Sequence, residues 1–137
     1  MKRLVIDASI AVSWFLEDEQ SNYGQAVRSK MPGAELVSVP AHWMLEVTNA
    51  LLVAERRKRI AAASVNHAVG ILSQMPIRAD AETDDQAGRQ TLELARQHAL
   101  TIYDAAYLEL ALRLGAGLAS LDEPLKAAAK KRGVRWV

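Results

Sequence analysis

Short apolar runs that end on an acid, spaced between helical stretches, restrict this chain to an α/β architecture. Leu4-Val5-Ile6 is closed by Asp7, and Leu118-Ala119-Ser120-Leu121 is closed by Asp122. A continuous apolar run bounded by turn residues reads as a strand buried on both faces, as in parallel sheets. The expected strands are Arg3–Asp7, Leu36–Val39, Ile77–Arg78, Gly117–Leu121 and Val134–Trp136. Helical patterns fill the intervals: Ala8–Leu16, Asn22–Ser29, His42–Arg59, Ser64–Gln74, Asp84–His98, Tyr103–Leu114 and Pro124–Arg132. This alternation predicts a parallel sheet with helices on both faces. Open sheets of that kind bind ligands beyond the carboxyl ends of their strands. Asp7 and Asp122 both fall there.

Local punctuation supports the boundaries. Pro40 stops the second strand, because it cannot donate to a ladder. Thr83-x-x-Gln86 has the form of a capping box, and Gly133 suits a helix C-cap. No linker divides the chain, so residues 1–137 are expected to form one domain. With 50% hydrophobic and 24% charged residues, the composition is that of an ordered soluble protein. The absence of Cys excludes disulfides, thiolate metal sites and Cys nucleophiles. No apolar run suits a signal-peptide core or a bilayer span, so a cytoplasmic location is the expectation. A net charge of +1 argues against a globally basic nucleic-acid binder. An acidic metal site could nevertheless offset basic patches elsewhere.

Each acid has a structural reading beside a functional one. Asp7 could cap the first helix, with Ser9 adding a hydroxyl at the same point, or could ligate a metal. Thr101-x-x-Asp104 fits a capping box, and taken alone Asp104 is better read as part of a cap. Asp122 precedes Pro124 and could cap the last helix, with Ser120 bonding locally in the same turn. Glu46 differs, since it lies within a helix surrounded by Trp43, Met44, Leu45, Val47 and Leu51. That helix is expected to be largely buried, with Glu46 and Asn49 sharing a narrow polar line. The favoured reading turns Glu46 toward a polar cleft. Two carboxylates about 4 Å apart repel by about 4 kcal/mol at an effective dielectric near 20. A cluster of four would therefore need a cation or raised pKa values. Oxygen-only ligands suit Mg²⁺ or Mn²⁺ better than Zn²⁺.

In combination these residues resemble a known family. Val5-Ile6-Asp7-Ala8-Ser9 is similar to the start of PIN-domain ribonucleases. Pro40, Trp43, Glu46, Asn49 and Leu51 resemble the second acidic motif, and Tyr103-Asp104-Ala105-Ala106-Tyr107-Leu108-Glu109-Leu110-Ala111 the third. Ser120-Leu121-Asp122 followed by Leu125 resembles the final (Thr/Ser)-x-Asp motif, with Ser where Thr is commoner. The order holds along nearly the whole chain, whose length suits VapC-type toxins of toxin–antitoxin pairs. The resemblance implies a three-layer α/β/α sandwich with Asp7, Glu46, Asp104 and Asp122 in an acidic site. It implies Mg²⁺-dependent endonucleolytic cleavage of RNA, with Mn²⁺ as a substitute, by a homodimer held inactive by a small antitoxin. Asp7 and Asp104 would be direct ligands, with Asp122 and Glu46 completing the site directly or through waters. Ser9, Ser120 and Asn49 would support the site or touch substrate.

Other features carry less. His42, His67 and His98 do not suggest an acid–base pair. Arg56-Arg57-Lys58-Arg59 reads first as favourable charge at a helix C-terminus and second as a phosphate contact. Trp14, Phe15 and Trp43 could be core or, if clustered, a protein interface. One rival reading is another Mg²⁺ phosphotransfer enzyme on a doubly wound fold. A haloacid-dehalogenase-type phosphatase would need Asp where Ser9 stands. The other rival is a PIN-like binding module that cuts nothing.

Overall fold

The computed structural model describes residues 2–137. Its four strands are β1 (Arg3–Ile6), β2 (Leu36–Val39), β3 (Ile77–Ala79) and β4 (Gly117–Ala119). All neighbours are parallel and the order is β3-β2-β1-β4. Leu4 pairs with Val37 on one side, while Val5 pairs with Leu118 on the other. Leu4, Val5, Ile6 and Leu118 are fully buried, which is why these runs carry no polar alternation. The helices are α1 (Ala8–Phe15), α2 (Asn22–Lys30), α3 (Trp43–Arg56), α4 (Ala62–Gln74), α5 (Thr83–Gln86), α6 (Leu92–His98), α7 (Ile102–Leu114) and α8 (Glu123–Lys131). They cover the sheet, giving the expected α/β/α sandwich. No described helix is long and apolar enough to cross a membrane.

The topology positions the site. From β1 the chain proceeds outward to β2 and β3, then returns to place β4 on the other side of β1. Successive connections therefore diverge above β1 and β4, and a crevice opens at their carboxyl ends. The Asp7 N–H donates to Ala119 O at 2.9 Å, locking the two strand ends together.

Several boundaries differ from the sequence reading, each for a local reason. β4 stops at Ala119, since the Leu121 N–H donates to Ser9 Oγ instead of a ladder carbonyl. The expected strand Val134–Trp136 is reduced to one bridge, Leu118 to Trp136. The Val134 N–H is already committed to Ala129 O at the end of α8, so pairing begins only at Arg135. The expected helix His42–Arg59 starts at Trp43 and ends at Arg56, with Lys58 in the left-handed region (φ 59°). Arg59 consequently leaves the helix axis and clamps Asp18 through two bonds of 2.7 and 2.9 Å. It does not serve as helix-terminal charge. The span Asp84–His98 is not one helix: the chain kinks at Arg89 (φ −120°, ψ −109°), just after Gly88. The Thr83 capping box does not form, because Thr83 Oγ1 accepts from the Ala41 N–H and donates to Asp80.

Packing settles the aromatic residues. Trp14 and Trp43 are buried core side chains, and the Trp14 indole donates to Gly24 O. Trp14 is thus not a free contact residue. Beside β3, Arg113 bonds Glu109, Asp80 and Glu82 together. Burial alone would raise the Asp80 pKa, but the Arg113 guanidinium holds it below the ordinary carboxylate value.

Candidate active site

Asp7 follows β1 directly and is only 5% exposed. It occupies the N-cap position of α1, yet its carboxylate makes no capping bond. Oδ2 instead accepts from Ser120 Oγ at 2.5 Å and Ser9 Oγ at 3.0 Å. Each hydroxyl is itself held by the loop after β4. Ser120 Oγ accepts from the Asp122 N–H at 2.9 Å, and Ser9 Oγ from the Leu121 N–H at 3.0 Å. Two relays thus connect the backbone of that loop to one carboxylate oxygen. Burial pushes the Asp7 pKa up and the Glu46 charge adds to this, while the two serine bonds oppose it.

Asp122 is a helix cap that also faces the cleft: its Oδ2 caps α8 by accepting from the Leu125 N–H at 2.9 Å. Asp104 lies in the first turn of α7, where Thr101 is the cap and accepts from the Asp104 N–H. This is the first half of the expected capping box. The Asp104 pKa is pushed up to about 6, by burial first and then by the charges of Asp122, Asp7 and Glu46, while the Thr101 hydroxyl opposes the rise. A carboxylate in a helix first turn is normally favoured by the dipole, so burial and the neighbouring charges together outweigh that help.

Glu46 projects from the first turn of α3. Its Oε1 accepts from the Tyr107 hydroxyl at 3.1 Å and lies 2.7 Å from His42 Nε2. The imidazole contact is close but out of line for a hydrogen bond. Burial, then the Asp7 and Glu46 charges, drive the Tyr107 pKa far up, so the phenol stays a proton donor.

Together these residues line a cleft of about 490 Å³. Asp7, Ser9, Glu46, Asp104 and Asp122 all face it, as does Glu19, while no Lys or Arg does so among the described residues. Ser120 lies buried beneath Asp7. Asn49 is exposed and is not brought to the cleft. The polar line drawn through Glu46 and Asn49 diverges there, because the helix face that continues from Glu46 runs through Ala50, four residues on. Glu19 escaped the sequence reading, and so did the contacts of Tyr107 and His42 with Glu46. Those contacts were legible in principle, with Tyr107 three after Asp104 on one helix face and His42 four before Glu46. Glu19 sits in a short 3₁₀ turn, Glu17–Glu19, and gave no periodic signal.

The donor set is all oxygen. Among the described residues, no three His, Asp or Glu side chains converge on one point at ligating distance. The oxygen chemistry of the lining is of the kind that Mg²⁺ takes.

The PIN domain family matches residues 4–131. Ribonuclease VapC3 of Mycobacterium tuberculosis is 32% identical over 127 residues, covering 93% of this chain and 88% of that protein. Ribonuclease VapC3 of Pyrobaculum aerophilum is 26% identical over 123 residues, covering 90% and 92%. Among solved structures, a Pyrobaculum aerophilum protein superposes with a TM-score of 0.68 at 23% identity, covering 93% of this chain and 79% of that one. VapBC2 from Rickettsia felis, solved with a DNA fragment from its promoter, gives 0.63 at 15% identity, covering 98% and 97%. With its motif acids gathered at one sheet edge and a family match along nearly its whole length, the chain belongs to the PIN-domain family, among the VapC ribonucleases.

Proposed function

We propose that this protein is a Mg²⁺-dependent endoribonuclease, the toxin of a toxin–antitoxin pair, acting in the cytoplasm as a single nuclease domain. The observation that carries the reading is the gathering of Asp7, Glu46, Asp104 and Asp122 around one cleft, with Asp104 pushed up to about 6 by burial first and then by the other three charges. Such a set is unfavourable as four free anions and becomes favourable around a cation. Asp7 and Asp104 would hold Mg²⁺, or Mn²⁺ in its place, with Asp122 and Glu46 completing the site directly or through waters. A bound ion of this kind lowers the pKa of a coordinated water and neutralises charge on the leaving oxygen.

The remaining work falls to the chain itself. Ser9 and Ser120 fix the Asp7 carboxylate in one orientation. Asp122 is held in register by its cap to α8. Attack by water would leave a 5′-phosphate and a 3′-hydroxyl without using the 2′-hydroxyl, so preference for RNA must come from binding. Incubating purified protein with structured RNA tests the reading. Cleavage should vanish in EDTA and return with added Mg²⁺ or Mn²⁺. Undiminished cutting in EDTA would overturn it, and no cutting under any metal would favour a binding module.

The proposed partners are a second copy of the chain and a small antitoxin. Large apolar side chains stand in solvent near the cleft, Leu45 at 76% and Tyr103 at 64% exposure. They replace Trp14 as contact candidates. Light scattering should give about twice the chain mass, since two-fold dimers are the commonest oligomers. A strict monomer at high micromolar concentration would count against the dimer alone.

A further inference from the structure

We propose that Tyr107 is a positioning residue for Glu46, fixing one carboxylate oxygen so that the other is presented to the cleft. The inference rests on the nuclease reading only in naming the cation that the cleft takes. Tyr107 is completely buried in α7, and its ring belongs to the core beneath the site. Its hydroxyl reaches across to α3 and donates to Glu46 Oε1 at 3.1 Å. Glu46 Oε2 makes no hydrogen bond with any described residue, and the side chain lines the cleft. The two oxygens of one carboxylate are thus placed in different environments.

Glu has three side-chain torsions, and a solvated Glu on an exposed helix face samples many of them. Here two neighbours, Tyr107 and His42, restrict that freedom at one oxygen, and their rings are packed together. The His42 ring packs edge-on against the Tyr107 ring at 5.5 Å and against Tyr103 at 5.7 Å. His42 Nε2 also stands against the oxygen that Tyr107 holds. Tyr107 is further placed three residues after Asp104 on the same helix, so one rigid element sets both Asp104 and the group that orients Glu46. Groups that hold a metal ligand from behind typically change metal affinity or activity by about 10- to 100-fold when removed. A tyrosine kept only for packing would lose nothing of this kind on becoming phenylalanine.

The experiment is a double-mutant cycle of Tyr107→Phe and Glu46→Ala, read by Mg²⁺ titration calorimetry, with melting in EDTA as the control for folding. Tyr107→Phe alone should weaken Mg²⁺ binding by about tenfold or more, while retaining a cooperative melt. In active protein it should lower kcat with little change in KM for RNA. In the Glu46→Ala background the same substitution should have no further effect on Mg²⁺ affinity. Unchanged affinity in Tyr107→Phe, or an equal loss in both backgrounds, would overturn the proposal and leave Tyr107 as core packing. If the wild type binds Mg²⁺ and obeys the cycle but cleaves no RNA, the nuclease reading fails and the role of Tyr107 stands.

Discussion

Asp7→Asn should abolish RNA cleavage while making the metal-free protein more stable. On the proposed reading Asp7 holds the ion whose charge would stabilise the transition state by several kcal/mol, so losing it should slow cleavage on the order of a thousand-fold. The stability gain follows from what Asp7 is asked to do. It is buried, its pKa is raised by burial and by Glu46, and it does not cap α1. Asn keeps an acceptor for Ser9 or Ser120 and deletes a charge that the empty cleft disfavours. On the Coulomb scale for partly screened neighbours, the gain in EDTA should be about 1 kcal/mol or more. Mg²⁺ should reverse the ranking. Binding only to the folded state, at a hundred times its dissociation constant it stabilises the wild type by about 2.7 kcal/mol, whereas Asp7→Asn should gain far less. Asp122→Asn is the companion variant, because Asn caps about as well as Asp. It keeps the bond to the Leu125 N–H, so any gain in EDTA reports charge relief alone. Thermal melts in EDTA and in millimolar Mg²⁺ decide the matter. Equal melting temperatures for all proteins in both buffers would leave these acids without a shared electrostatic role.

What the sequence disclosed here depended on period and position. β1 and β2 were legible because buried parallel strands leave an uninterrupted apolar run, and the acids beyond β1 and β4 were legible because a strand end is a fixed address. Features set by competition between distant groups were not. Ser120 and Leu121 continue the β4 pattern in composition, but their polar groups are drawn to Asp7, Asp122 and Ser9, so the strand stops early. Thr83 has the right spacing for a box, yet Ala41, from a loop forty-two residues away in sequence, takes its hydroxyl. α3 looked buried around most of its circumference, but Leu45 on it is open to solvent. An apolar pattern does not by itself distinguish a core side chain from one left at the surface. The Arg59 clamp on Asp18 was hidden for a different reason: a basic run at a helix end is ambiguous until the turn at Lys58 fixes where each side chain goes.

The pH dependence of the metal-free protein should carry the signature of Asp104. Its folded pKa is pushed up to about 6 from an ordinary 3.8, by burial and then by Asp122, Asp7 and Glu46. Between those values the folded state retains a proton that the unfolded chain has released. Raising the pH therefore withdraws protons from the folded state preferentially, and the Asp104 contribution to stability falls from about pH 4 to about pH 6, then levels. A shift of this size would be worth about 3 kcal/mol in full. The carboxyl is only about half buried, and solvent screening reduces the effect to about 1 kcal/mol, or roughly 4 °C in melting temperature. Asp80 and Asp18, both held low by arginines, contribute with the opposite sign as pH falls. The measurement is accordingly a difference. In EDTA, Asp104→Asn and the wild type should melt together below pH 4, and the variant should melt higher above pH 6. Mg²⁺ competes with the same proton, so wild-type affinity should drop by up to about tenfold for each pH unit below 6. The variant should bind weakly and lack that step. Parallel pH profiles for the two proteins, in melting and in Mg²⁺ affinity, would show that Asp104 does not sense the other carboxylates.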